Sequence, residues 1–206
     1  MRLGVFGGVF NPPHIGHMVC AQEAFVALEL DVVVFVPVSQ APHREIEEDP
    51  GAGTRLRMCG VAITGDGRFE LSEIELERPG PSYTADTLRE LARRRPGDEL
   101  FLILGGDEAA TLATAWREPE EVLRLATVAV AERDGRRREE IAEAVSSLEG
   151  GERLAFFEMP RIDVSATLVR RRAAAGLPIR YLVPDKVGDF IGAKSLYGAS
   201  AAVGAG

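Results

Sequence analysis

Residues 31–38, DVVVFVPV, constrain the fold more than any other stretch, because this run of β-branched and aromatic residues has no polar face to offer water. Such a strand is stable only where helices cover both faces of its sheet, which is the habit of parallel sheets. Further apolar strands read at residues 2–6, 69–76, 99–104, 126–131 and 154–158. Helical patterns lie between and after them, at about 15–30, 54–64, 82–95, 119–125, 138–148, 165–175 and 185–191. Strand alternating with helix implies an α/β fold, a doubly wound, Rossmann-like parallel sheet with helices on both faces. A chain of 206 residues suits one domain, expected over 1–197 with a helical portion from about 165. The small residues 198–206 read as a flexible tail.

Bulk properties exclude several classes. The first residues run at once into a glycine turn rather than a signal peptide, and no apolar run approaches the roughly 20 residues of a membrane span. A soluble, cytoplasmic protein with no membrane partner is expected. Cys20 and Cys59 stand apart, without the paired spacing of a disulfide framework or zinc knuckle, and read as reduced, buried thiols. A net charge of -8 argues against non-specific nucleic-acid binding, so an anionic small substrate must be drawn in by a few placed cations. Nothing in the sequence decides between a monomer and a homo-oligomer.

In open α/β sheets ligands bind beyond the carboxyl ends of strands, and the first strand delivers GGVFNPPHIGH, residues 7–17, to that edge. Gly7 and Gly8 let backbone amides approach a phosphate, and the helix starting near His14 adds its positive end. His14 and His17, three apart, project from one face toward the same phosphates, and Gly16 between them leaves room for an adenine or ribose. Zinc is the competing reading, but it needs a third protein ligand and the only other histidine, His43, lies in a distant loop. Two ordinary half-buried histidines would not require a glycine turn, a double proline and a helix start beside them.

This stretch resembles the HxGH signature of a nucleotidyltransferase superfamily, in particular bacterial nicotinate mononucleotide adenylyltransferases, where it usually reads GGTFDPPHxGH. Val9 departs from the usual Thr or Ser, and Asn11 from Asp. The resemblance continues in order along nearly the whole chain. Residues 37–44, PVSQAPHR, are similar to a motif ending in Pro-His-Lys, with Arg44 in place of the lysine in a chain of 22 Arg and two Lys. Residues 78–88, RPGPSYTADTL, resemble the RxGPSYTxDTL segment that helps hold the pyridine ring and its carboxylate. On its own that segment would read as a Ser/Thr helix cap. Residues 104–107, LGGD, match a GxD motif that reaches a nucleotide ribose. Trp116, the only tryptophan, falls where the family stacks one on the nicotinate ring. Residues 164–170, VSATLVR, are similar to ISSTxxR with Ala166 in place of the second serine, and residues 181–185 and 196–197 echo the family's C-terminal segment.

What the resemblance implies is transfer of AMP from ATP to nicotinate mononucleotide, giving the deamido form of NAD and pyrophosphate. It assigns ATP to Gly7, Gly8, Val9, Phe10, His14, Gly16, His17, Gly105, Asp107, Ser165, Thr167 and Arg170. The mononucleotide falls to Gly8, His43, Arg44, Ser82, Tyr83, Thr84, Trp116 and Arg117. His14, His17, Arg44 and Arg170 carry catalysis, and a magnesium ion is held mainly by phosphates and water. A phosphate monoester with its second pKa near ~6 is already ionised at neutral pH, so no general base is required. The alternatives are nicotinamide mononucleotide or phosphopantetheine as acceptor, or a nucleotide-binding homologue that lost activity, for which Val9, Asn11 and Ala166 are the hints.

Overall fold

The computed structural model describes residues 1–42, 45–132 and 138–199. Six strands, β1 (Arg2–Gly8), β2 (Val32–Pro37), β3 (Phe69–Leu71), β4 (Glu99–Gly105), β5 (Ala126–Glu132) and β6 (Leu154–Glu158), form one sheet in the order β3-β2-β1-β4-β5-β6. Every pairing is parallel, with Leu3 opposite Val32 and Leu100 on either side. The chain winds outward from β1 to β3, then returns to lay β4 against the other side of β1. That reversal opens a crevice at the carboxyl ends of β1 and β4, where such folds place ligands.

Side-chain alternation sends two apolar sets to opposite faces. Leu3, Val5, Val34, Leu102 and Val128 pack with α3 (Thr84–Arg94), α6 (Pro119–Leu125) and α7 (Arg138–Val145). Phe6, Phe35, Phe101, Ile103 and Ala129 pack with α1 (Ile15–Ala27) and α2 (Ala52–Ile63). The residues of β2 are all buried, as a strand without a polar face requires. A third core joins Met58 of α2 to α8 (Ala166–Ala174), α9 (Asp185–Ala193) and the closing 3-10 turn (Leu196–Gly198), through Val169, Ala173, Val187 and Ile191. The fold is thus the expected doubly wound α/β sheet with both faces covered. Among the described residues no helix is long and apolar enough to cross a membrane. Cys20 and Cys59 are buried and form no disulfide among the described residues, and burial pushes the Cys59 thiol well above its usual range.

Two sequence expectations change, and two short helices appear where no element was expected. The strand expected over 69–76 ends at Leu71, where Ser72 N–H donates to the Phe35 carbonyl and the chain turns back through a Leu76–Glu73 backbone bond. Buried Ile74 and Glu75 prolong the alternation without prolonging the ladder. After β4 the chain forms α4 (Gly106–Ala110) and α5 (Leu112–Ala115), too short to leave a periodic signal. The tail does not begin at 198: Ala199 is buried in the third core, and Tyr197 donates its hydroxyl to Asn11 Oδ1 at 2.6 Å.

Tyr197 therefore ties the chain's last turn to the loop after β1. Replacing it with Phe leaves Asn11 Oδ1 without that donor inside a buried site, at a cost of about 1–3 kcal/mol. Urea denaturation of Tyr197→Phe should show this loss, and a midpoint equal to wild type would remove the C-terminal turn from the stabilising structure.

Candidate active site

At the crevice a cavity of about 670 Å³ is lined by residues brought together from distant parts of the chain, among them the loop of Glu45 and Glu47. The end of β1 and its loop contribute Gly7, Gly8, Val9, Phe10 and Asn11; the start of α1 contributes His14, Gly16 and His17; the end of β4 contributes Gly105; and α8 with its cap contributes Ser165, Thr167 and Arg170. His17 and Arg170, far apart in sequence, thus face one space.

Local structure explains the histidine pair. His14, in extended backbone, caps α1, and its N–H donates to His17 Nδ1 at 3.1 Å. An accepting Nδ1 places the proton of a neutral His17 ring on Nε2, which makes that edge a donor toward an anion. The two ring centroids lie 3.7 Å apart, and the His17 ring also packs on Phe10. Gly16 lines the same cavity, and a methyl there would lie 3.1 Å from the His14 ring, so the glycine also makes room for that imidazole.

Arg170 is 6% exposed. It donates Nη1 to the Asn11 carbonyl at 3.0 Å and pairs with Glu48 and, at 3.3 Å, with Glu47. Both carboxylates are largely solvent-exposed and come from the loop after β2. Ser165 caps α8 by accepting from Leu168 N–H at 3.2 Å, so its hydroxyl is committed while the helix start still faces the cavity.

A second cavity, of about 460 Å³, gathers Ser82, Tyr83, Thr84, Trp116 and Arg117, together with Val38 and Pro42. Asp107, expected beside ATP through its GxD motif, lines this second cavity. The helix that begins at Gly106 turns it away from the first one. Its neighbour Glu108 lines both, with a carboxylate oxygen 2.7 Å from where a Cβ on Gly105 would stand. Gly8 lines only the first. His43 and Arg44 lie outside the described residues, and the flanking Pro42 and Glu45 line the second and first cavities respectively.

The cap reading of residues 82–84 fails on geometry. Tyr83, not Ser82, is the N-cap of α3 and makes no side-chain cap bond. The Ser82 hydroxyl instead accepts from Ser39 N–H at 3.1 Å, fastening the end of β2 to this cavity. The Arg117 guanidinium sits 4.5 Å from the Tyr83 ring centroid, within cation–π range, and Trp116 Nε1 donates to Thr111 at 3.3 Å. Arg89 on α3 does not line the cavity but bonds Glu121 at 2.9 Å, Asp86 at 2.8 Å and Glu118, the residue that follows Arg117. Arg124 and then Arg89 hold the Glu121 carboxyl down to about 2.

Sequence reasoning missed Glu45, Glu47, Glu48 and Glu108, which carry no motif, and Arg55, a buried cation on α2. Among the described residues no three His, Cys, Asp or Glu side chains converge to hold a metal.

The chain matches the cytidylyltransferase-like family over residues 5–172. It is 39% identical over 202 residues to a probable nicotinate-nucleotide adenylyltransferase of Geobacillus thermodenitrificans, covering 98% of this chain and 88% of that protein. It is 41% identical over 196 residues to one from Herpetosiphon aurantiacus, covering 95% and 98%. Among solved structures, Plasmodium falciparum nicotinic acid mononucleotide adenylyltransferase complexed with NaAD superposes with a TM-score of 0.76 at 17% identity, over 97% of this chain and 98% of that one. This chain belongs to the cytidylyltransferase-like family and, within it, to the nicotinate-nucleotide adenylyltransferases.

The sole tryptophan reports on the second cavity. With Arg89→Gln, Trp116 emission should shift to the red and acrylamide quenching should rise at neutral pH. Because the Glu121 carboxyl is depressed from 4.5 to about 2, its hold is complete above 4.5 and fades as pH falls toward 2. Wild type should therefore move part of the way toward the variant's spectrum over that window, since Glu118 and Asp86 still hold Arg89, and an Arg89→Gln spectrum identical to wild type at neutral pH would rule out a coupling between this ion-pair cluster and Trp116.

Proposed function

We propose that the protein transfers AMP from ATP to nicotinate mononucleotide, forming nicotinate adenine dinucleotide and pyrophosphate. The observation that carries this reading is a pair of cavities with one common wall at Glu108. One is lined by two imidazoles and a buried guanidinium, and the other by the aromatic rings of Tyr83 and Trp116 with the hydroxyl residues Ser82, Thr84 and Thr111. The names borne by relatives about 40% identical support the same activity.

In this reading the first cavity takes the triphosphate. His14 meets the α-phosphate, and His17 donates from Nε2 to the phosphate being transferred. Arg170, with the amides at the start of α8 near Ser165 and Thr167, holds the β- and γ-phosphates. The triphosphate displaces Glu47 and Glu48 from Arg170, exchanging exposed carboxylates for phosphate oxygens on a guanidinium that is already placed. The second cavity takes the mononucleotide, its ring against Trp116 and its carboxylate at the backbone amides of Tyr83 and Thr84, beside Ser82, whose own N–H donates to the Gln40 carbonyl at 2.9 Å. Asp107 and Arg117 line its sugar and phosphate side. His43 and Arg44, between the two cavities in sequence, neutralise the phosphates that must meet.

The attacking phosphate oxygen is ionised at neutral pH, its second pKa lying near ~6, so the site has no proton to remove. Its task is to bring two mutually repelling anions into line and to stabilise the charge spread over the transition state. The cavity's donor set fits a magnesium ion carried in by the nucleotide on phosphate oxygens and water, since its carboxylates, Glu45 and Glu47 from the loop after β2 and Glu108 from α4, form no metal-holding cluster among the described residues. When bound, the ion supplies further neutralisation of the phosphate oxygens.

Pyrophosphate release with ATP, magnesium and each of three acceptors tests the reading. Nicotinate mononucleotide should react fastest, ahead of nicotinamide mononucleotide and phosphopantetheine, and release with none of them would refute it. His17→Ala should lower turnover by at least ~100-fold with the fold retained, a magnitude typical of losing an electrostatic donor to the transition state. Near-normal turnover would withdraw the role of His17. Trp116→Ala should weaken mononucleotide binding in titration calorimetry and leave ATP binding nearly unchanged; the opposite pattern would reject the stacking role.

A further inference from the structure

Arg55 on α2 is 0% exposed and touches neither cavity, yet its guanidinium binds segments that line both. Nη1 donates to the Val9 carbonyl at 3.0 Å and to the Val38 carbonyl at 2.6 Å. Nη2 donates to the Ser39 carbonyl at 3.2 Å, and Nε to Asp49 Oδ1 at 2.9 Å. Val9 belongs to the first cavity and Val38 to the second, while the N–H of Ser39 is the group that fastens Ser82. Asp49, anchored by Arg55, ends the loop whose Glu47 and Glu48 meet Arg170.

Three carbonyl oxygens converging on one buried point repel one another unless a cation lies between them. A guanidinium is a planar fork whose N–H directions are fixed, so it sets both the spacing and the orientation of those carbonyls. A lysine could supply the charge but not the fork.

We propose that Arg55 is a positioning residue that fixes the separation of the two substrate subsites, and so governs the in-line approach of the mononucleotide phosphate to ATP. The proposal rests on the adenylyltransferase reading. Each subsite keeps its own ligand-contacting side chains when Arg55 changes. The loss therefore falls on kcat, because displacement of a reacting group by about 1 Å costs on the order of 100-fold, while binding of either substrate alone is nearly untouched.

The test is Arg55→Lys, assayed for kcat, for each KM and for thermal midpoint. The expected result is a fall in kcat of roughly 10- to 100-fold, with ATP and mononucleotide dissociation constants within about threefold of wild type. A purely structural role would lower the midpoint and leave kcat per folded molecule unchanged, which would overturn the proposal. If Arg55→Lys does not fold, Asp49→Asn decides. That change weakens the fork's only charged partner among the described residues and should reduce kcat several-fold with both dissociation constants preserved; unchanged kcat there overturns the proposal equally. A wild-type protein that forms no dinucleotide refutes the activity and this inference together. An active wild type with an unimpaired Arg55→Lys variant refutes the inference alone.

Discussion

The site depends on a contact that spans most of the chain: Arg170, on α8, donates to the backbone carbonyl of Asn11, in the loop after the first strand. The third core brings α8 there by packing Val169 and Ala173 against α2, α9 and the closing turn. Burying a guanidinium carries a large desolvation cost unless its donors are satisfied, and here a carbonyl and two glutamates satisfy them. Tyr197 reinforces the junction from the other side through the Asn11 amide, whose nitrogen donates to the Glu47 carbonyl at 2.8 Å. An aspartate at position 11 could accept from Tyr197 but could not donate to Glu47. The amide therefore suits this loop, and its departure from the family's usual residue has a local cause.

Charge is distributed in the same spirit. A chain with net charge -8 repels polyphosphates at long range, so the attraction has to be local. Two imidazoles, a buried guanidinium and the start of α8 supply it at one end of the sheet, while the loop carrying Glu45, Glu47 and Glu48 lies across the same opening. The protein thus holds the buried Arg170 guanidinium against its own carboxylates.

The strands were legible because β-branched runs have few other uses, and the loop after β1 because glycine, proline and histidine converge there. Strand order was not written in any motif; it follows from which faces must be covered. Arg55 escaped notice because a single arginine on a helix usually faces water. A signal was nevertheless present, since Arg55, Met58, Cys59 and Ile63 follow helical spacing and all lie on the buried face of α2. An arginine in register with an apolar stripe is a candidate buried cation. Which cavity Asp107 lines could not be read from its motif, because a motif names residues and not directions; Asp107 lines the second cavity while its neighbour Glu108 borders both. The contact between Gly16 and the His14 ring was equally hidden, since it depends on how the helix start is turned.

One structure would test the account most directly: the protein with a non-hydrolysable ATP analogue and nicotinate mononucleotide bound together. The account predicts the triphosphate between His17 and Arg170, with Glu47 and Glu48 released and a mononucleotide phosphate oxygen about 3–3.5 Å from the α-phosphorus. Triphosphate bound away from these two side chains, or Arg170 still paired with the loop glutamates, would contradict it.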